Sequence, residues 1–338
     1  MTRIGVVTTS YPRHEGDFAG SFVGAHVRAL RELGHDVDVV HAPDDAPLFY
    51  RGGAPDAIEQ LGLRAIAPAV ATTTRLYREV HRRARAWDAI IAHWLVPSAV
   101  VARLAAPRLP LLAIAHGGDV YTLRRTHLMK PVLTLLRGAK LVAVSEQLRA
   151  LVPGAVVQPM GIDVAHFASL GRAPTNPPTV AFIGRWVPIK GVDVLFEAMT
   201  HIEREVRLVV AGMLDGHHDA TVIARYERPE HHHEYPGLVG AAERDQLLRE
   251  ASVVVIPSRV LPNGRTEGTP LVALEALAAG VPVVASRVGG LAQLPVTHVP
   301  PEDPVALARA IERVLDAPPP RQDMAAFDWR VVAERLQP

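Results

Sequence analysis

The sequence of 338 residues contains no cysteine. That absence removes disulfides, thiolate nucleophiles and cysteine-ligated zinc together, and it fits a reducing compartment. Lysine is nearly missing too. Of 36 basic residues only Lys130, Lys140 and Lys190 are lysines, so Lys190 is the sole one in the second half. No apolar run reaches the roughly 18 residues that a membrane-spanning helix needs, and the opening Met1-Thr2-Arg3-Ile4-Gly5-Val6-Val7 lacks a signal-peptide pattern. The expectation is a cytoplasmic protein. A net charge of +1 gives no footprint for nucleic acid. The sum hides an asymmetry: residues 1–168 hold 19 Lys+Arg against 14 Asp+Glu (+5), the remainder 17 against 21 (−4).

What is present is alternation. Short β-branched runs (Ile4–Thr8, Val37–His41, Ala89–His93, Leu111–His116, Leu141–Ser145) are separated by helix-like stretches such as Ser21–Leu33 and Ser98–Ala105. The pattern stops at the turn-rich Ala-Ser-Leu-Gly-Arg-Ala-Pro-Thr-Asn-Pro-Pro of 168–178 and restarts at Thr179–Gly184, Arg207–Ala211, Ser252–Ile256 and Pro282–Ala285. Val305–Leu315 and Ala325–Leu336 read as helices. Runs apolar on both faces, with helices between them, predict parallel sheets covered on both sides. The chain therefore divides into a first domain at 1–168, a linker at 169–178, a second domain at 179–324 and a C-terminal helix at 325–338 that is a candidate to return to the first domain. Two doubly wound sheets in tandem predict a ligand cleft at their strand carboxyl ends.

The common nucleotide fingerprints are missing. The first strand is followed by Thr8-Thr9-Ser10-Tyr11-Pro12 rather than Gly-x-Gly-x-x-Gly, and no Walker P-loop occurs. The informative stretch is Arg265-Thr266-Glu267-Gly268-Thr269-Pro270, which opens a helix through Glu275 to Gly280-Val281-Pro282. Thr269 reads as its N-cap, Pro270 as the first helical position and Gly280 as its stop. Gly268 lets a ligand approach a helix start that favours anions. Glu267 and Glu275 suit hydroxyls rather than phosphate. A diphosphate flanked by sugars, that is a nucleotide sugar, satisfies all three features; an ordinary capped amphipathic helix is the alternative. After the strand at 179–184, Gly184-Arg185-Trp186-Val187-Pro188-Ile189-Lys190-Gly191 supplies two cations. They either neutralise a diphosphate or are loop surface charge.

On these residues the chain resembles the retaining glycosyltransferases of family 4. The resemblance rests on Gly-Arg-x-x-x-x-Lys-Gly at 184–191, the Glu-(seven residues)-Glu of Glu267 and Glu275, and Ala279-Gly280-Val281-Pro282. It extends to Gly34-His35-Asp36-Val37, His116-Gly117-Gly118-Asp119, and Gly161-Ile162-Asp163 with Phe167. It implies an α/β GT-B fold, two Rossmann-like doubly wound parallel-sheet domains facing a central cleft. It further implies a metal-independent hexosyltransferase without cofactor, acting on a UDP- or GDP-sugar donor and a polysaccharide, glycolipid or related acceptor. Arg185 and Lys190 would grip the diphosphate, helped by backbone N–H groups at Gly268, Thr269 and near Gly20. Glu275 would bind the ribose, Glu267 the transferred sugar, and His116 would lie at the reacting centre. His93, Trp94, Asp119 and Tyr121 would face the acceptor. The sequence departs from the commonest pattern at Thr269-Pro270, at Gly212-Met213-Leu214-Asp215-Gly216 and at Ala292-Gln293.

Other features have blander readings. His231-His232-His233-Glu234 reads as a solvated loop rather than a metal site, and Asp36-Val37-Asp38 as a strand edge. Residues 75–87 form a basic helix with Leu76, Val80, Ala84 and Trp87 on one side, either a core-facing stripe or a peripheral contact with anionic lipid. A non-catalytic nucleotide-sugar-binding subunit, a glycoside hydrolase and a sugar-nucleotide epimerase remain alternatives.

Overall fold

The computed structural model describes residues 1–14, 16, 17, 19–42, 62–212 and 231–338. The chain forms two compact units, the first comprising Met1–Gly161 with Trp329–Pro338 and the second Ile162–Asp328.

Unit 1 is built on a six-stranded sheet in the order β2-β1-β3-β4-β5-β6. Its strands are β1 (Arg3–Val7), β2 (Asp36–Val40), β3 (Ala89–His93), β4 (Leu111–Ala115), β5 (Lys140–Ala143) and β6 (Val156–Val157). Every pairing is parallel. β3 and β4 are buried along their whole length, which is why Ala-Ile-Ile-Ala-His and Leu-Leu-Ala-Ile-Ala show no polar alternation. Helix α1 (Ser21–Glu32) covers one face with Val23, Val27 and Leu30, spaced as one helical stripe. Helix α2 (Ile66–Arg83) buries Thr72, Leu76 and Val80 and leads into the buried Ala84 and Trp87. The basic helix thus turns its apolar side to the core. At the sheet edge, Asp36 pairs with Arg3 at 2.6 Å and Asp38 with Arg83 at 3.1 Å, so the two carboxylates of Asp36-Val37-Asp38 are held by separate arginines.

Unit 2 repeats the plan with the order β12-β11-β10-β7-β8-β9. The strands are β7 (Thr179–Ile183), β8 (Arg207–Ala211), β9 (His232–Gly237), β10 (Ala251–Ile256), β11 (Val283–Ser286) and β12 (Thr297–Val299), again all parallel. Period-two alternation sends Ala181, Val209, Val254 and Ala285 to one core and Val180, Leu208, Val255 and Val284 to the other. Each fully buried valine or leucine side chain among them contributes about 1.5–3 kcal/mol relative to exposure. The Val305–Leu315 expectation corresponds to a helix at Pro304–Asp316, capped by Asp303 onto the Ala306 N–H at 2.8 Å.

Three sequence expectations are corrected. The crossing between units falls at Gly161/Ile162, not in 169–178. The turn-rich stretch belongs to unit 2, where Ile162 and Phe167 join the core and the Ala173 and Thr175 N–H groups bond to the carbonyls of Arg249 and Glu250. Ala325–Leu336 is not one helix but a turn at Ala325–Phe327, in unit 2, and a helix at Trp329–Arg335, in unit 1. The three histidines are not a solvated loop: His231 is buried, and His232-His233 begin the edge strand β9. Their imidazoles reach separate partners, the Met199 carbonyl, Glu205 and Tyr235, so they do not converge on an ion. Their flank Arg228-Pro229-Glu230 lies outside the described residues, as do Met213-Leu214-Asp215-Gly216.

Candidate active site

Each strand order reverses once: β1 has neighbours on both sides, as does β7, and the chain leaves first one way and then the other. In sheets of this kind ligands bind beyond the strand carboxyl ends at that reversal. In unit 2 the reversal lies between β7 and β10. The segments leaving these two strands are Gly184–Gly191 and Pro257–Glu267, which carry Arg185, Lys190 and Glu267.

The two segments are tied together. Lys190 Nζ lies 3.0 Å from Glu267 Oε1, with the side chains only 19% and 12% exposed. The Arg259 N–H donates to the Ile189 carbonyl at 3.0 Å, and its guanidinium holds both oxygens of Asp193 at 2.8 Å. Gly191 makes the approach possible: its φ is +63°, and a Cβ there would collide with the Pro257 carbonyl oxygen. Arg185 is half-buried, two residues beyond the end of β7 on the segment that carries Lys190.

Helix α3 (Leu271–Ala278) follows. Its N-cap is Pro270, at φ −64° and ψ 124°, and not Thr269. The preceding loop is tied to the turn after β11, where the Gly290 N–H bonds to the Gly268 carbonyl at 2.9 Å and the Glu267 carbonyl at 3.2 Å. Gly290 belongs to the short turn Gly289–Gln293, which includes the atypical Ala292-Gln293. The far end matches expectation: Gly280, at φ +74°, and Val281 donate to the Leu277 and Ala276 carbonyls and stop the helix. Glu275 is buried and its pKa is raised, chiefly by that burial, against the attraction of Arg244, whose Nη1 lies 3.2 Å from Oε1. Arg244 also holds Asp245 at 2.9 Å and lies 4.9 Å above the Phe167 ring. Arg244 was not picked out from the sequence; its spacing from Glu275 carries no local signal.

In unit 1 the reversal lies between β1 and β3. Gly20, in the left-handed conformation at φ 65°, starts α1 after the loop leaving β1. His93 ends β3 with Trp94 next after it, and His116 directly follows β4, so three predicted residues meet. The Trp94 and His116 rings are 5.0 Å apart, those of His93 and His116 5.2 Å. Phe22 of α1 fills the remaining side, 5.0 Å from His116 and 5.8 Å from Trp94. In unit 1, Phe22 and His26 are the residues sequence reasoning missed; both lie on the inward side of an amphipathic helix, one turn apart. Trp94 sits at φ 72°, a left-handed backbone that places its ring beside His116. Tyr121 is half-buried one turn along the following helix.

Asp119 does not present its carboxylate outward. It is buried and accepts the N–H groups of Leu95 at 2.7 Å, Gly117 at 3.0 Å and His116 at 3.2 Å. Burial raises its pKa and these backbone donors oppose the rise. The carboxylate thus locks the loops after β3 and β4 to each other, and a contact with an acceptor is not where its lone pairs go.

Comparison with known proteins decides the family. The description "Glycosyltransferase Family 4" matches residues 19–166 and "Glycosyl transferases group 1" matches 177–317. The phosphatidyl-myo-inositol mannosyltransferase of Mycobacterium tuberculosis is 30% identical over 365 residues, covering 93% of this chain and 91% of its own. The chain belongs to glycosyltransferase family 4. The D-inositol 3-phosphate glycosyltransferase of Corynebacterium diphtheriae is 34% identical over 197 residues, 48% of this transferase and 42% of that protein. Among solved structures, Anabaena Alr3699/HepE in complex with UDP superposes with a TM-score of 0.71 at 18% identity, covering 99% of this chain and 98% of that one. The transferase thus has the GT-B architecture, with one Rossmann-like parallel sheet in each unit. No helix among the described residues is long and apolar enough to cross a membrane.

Proposed function

We propose that this glycosyltransferase moves a sugar, with retention of configuration and without a metal, from a UDP- or GDP-sugar to a polysaccharide, glycolipid or related acceptor. The observation that carries the reading is the pairing of Lys190 with Glu267 at the β7/β10 reversal of unit 2, with Arg185 on the segment that carries Lys190. A leaving diphosphate needs positive charge, and a forked guanidinium with a point-like ammonium supplies it without a metal ion. Backbone N–H groups at Gly268 and Thr269, and near Gly20, assist. Glu275 accepts the ribose hydroxyls, Glu267 those of the transferred sugar, and His116 contacts that sugar. An acceptor hydroxyl oxygen bonds to the anomeric carbon as the carbon–phosphate oxygen bond breaks, and its proton passes to the departing diphosphate. The mannosyltransferase relative, named for an inositol lipid acceptor, favours a lipid-linked or polyol acceptor with Trp94 on its side; His93, fully buried with both ring nitrogens on neighbouring histidines, does not face it as the sequence reading expected.

The test is calorimetric titration with UDP-, GDP- and ADP-sugars in the presence of EDTA, followed by NMR of the anomeric proton in the product. One nucleotide sugar binding with EDTA present, and a product of the donor's own anomeric configuration, are the expected results. Binding that requires a divalent cation, or an inverted product, overturns the reading.

A further inference from the structure

His26, His93 and His116 form a continuous chain through the interior of unit 1. His26 Nδ1 lies 3.1 Å from His93 Nε2, and His93 Nδ1 lies 3.1 Å from His116 Nε2. His26 and His93 are fully buried, and Trp329 of the C-terminal helix stacks on His26 with ring centroids 5.6 Å apart and planes 13° apart. Burial keeps all three rings neutral, holding His26 down at about 4, His116 at about 3 and His93 well below its ordinary value.

A neutral imidazole has one N–H and one lone pair. Two successive N···N hydrogen bonds through three such rings therefore allow two proton registers only: every ring protonated on Nδ1, or every ring protonated on Nε2. The inner end of the chain separates them. His26 Nε2 is buried and has no partner among the described residues. In the Nε2 register it is an orphaned N–H, which folded proteins rarely leave inside; in the Nδ1 register it is a bare lone pair.

We propose that His93 and His26 are positioning residues that hold His116 as its Nδ1–H tautomer, so that His116 meets the sugar as a hydrogen-bond donor and not as a base. This rests on the reading of His116 as a sugar contact. It is consistent with the acceptor proton leaving on the diphosphate, because His116 then has no lone pair facing outward to receive it. The C-terminal helix gains a role as well: Trp329 seals the end of the chain from water that could supply a second proton register.

Histidine-ring 15N labelling of the full chain, with two-bond proton–nitrogen correlation spectra, reads the protonated nitrogen of each ring directly. Absence of one ring's signals in His116→Asn assigns His116. The expected result is an Nδ1–H at His116, shifting toward Nε2–H in His93→Phe. An Nε2–H at His116 in the unaltered chain overturns the proposal, as does a folded His93→Phe chain in which His116 keeps Nδ1–H. Should His93→Phe fail to fold, the unaltered spectrum decides alone. An Nδ1–H at His116 combined with undiminished transfer by His116→Asn would instead remove His116 from the sugar site and leave the histidine chain standing.

Discussion

The ammonium of Lys190 and the carboxylate of Glu267 lie 3.0 Å apart on the segments that follow two neighbouring strands, both largely shielded from water. A residue proposed for the diphosphate and one proposed for the transferred sugar are thus each other's counter-ions. Removing either leaves the other as a poorly solvated lone charge.

The two sides of this pair are expected to respond differently. Lys190→Ala should lower kcat/KM by at least about 100-fold, close to 2.7 kcal/mol of transition-state stabilisation. Glu267→Gln should lower kcat comparably but leave affinity for the free nucleoside diphosphate equal or tighter, since the ammonium is released for phosphate. Calorimetry with the nucleoside diphosphate alone checks this, and a tenfold loss of that affinity in Glu267→Gln would contradict it.

A second pair, Arg244 with Glu275, is testable by stability. Glu275 is buried, so neutralising Arg244 in Arg244→Met strands a carboxylate whose pKa burial already raises. A double-mutant cycle of Arg244→Met and Glu275→Gln in urea unfolding should return a coupling of roughly 1–2 kcal/mol, within the usual range for touching residues. Donor affinity should fall about tenfold in Glu275→Gln, the loss of a charge-assisted hydrogen bond to a hydroxyl. A coupling indistinguishable from zero would mean the pair is fully solvated in solution.

How far these pairs could be read from the sequence depends on range. Central strands were legible because burial on both faces writes an uninterrupted apolar run: Ala89–His93 and Arg207–Ala211 carry the same bounds in sequence and structure. The edge strands β6, β9 and β12 were not, since an edge needs little apolar content; Val156–Val157 is two residues long and His232–Gly237 is mostly polar. The turn-rich 168–178 imitated a linker because exposed loops and linkers use the same residues. Lys190, Glu267 and His116 were legible through local motifs. Arg244, Phe22 and His26 were not, as each meets its partner across a fold rather than along the chain.

The buried histidines set a pH limit on stability. His26 is held neutral with its pKa lowered by burial from 6.5 to about 4. The unfolded chain therefore binds more protons than the folded one between these values, so the stabilisation is complete above about pH 6.5 and is lost as pH falls through 6.5 toward 4. His26 alone accounts for a loss on the order of 3 kcal/mol. His116, lowered to about 3, and His93 act in the same direction. Urea unfolding midpoints should drop steeply from pH 7 to pH 4.5, and His26→Phe, if folded, should flatten that slope. A midpoint constant over this range would show that the rings are hydrated.

The last expectation concerns the outer face of α2. Its inner side is committed to the core through Leu76 and Val80, yet Ile66, Val70 and Tyr77 remain 56%, 59% and 38% exposed. Arg75, Arg78 and Arg82 are exposed on the same helix, in the half of the chain whose formal charge is +5 (19 − 14). Apolar side chains beside arginines are what an interfacial helix offers to anionic lipid, each nearby cation adding about 1 kcal/mol at the surface. The transferase is therefore expected to float with vesicles containing phosphatidylserine or phosphatidylinositol at low salt, and to be released by salt because the Debye length shrinks to about 3 Å at 1 M. Val70→Glu with Arg78→Glu should abolish flotation while leaving transfer to a soluble acceptor unchanged, since neither residue approaches His116 or Lys190 in sequence or belongs to the β-strand termini that carry them. Indifference of the unaltered protein to anionic vesicles at low salt would assign this face to solvent.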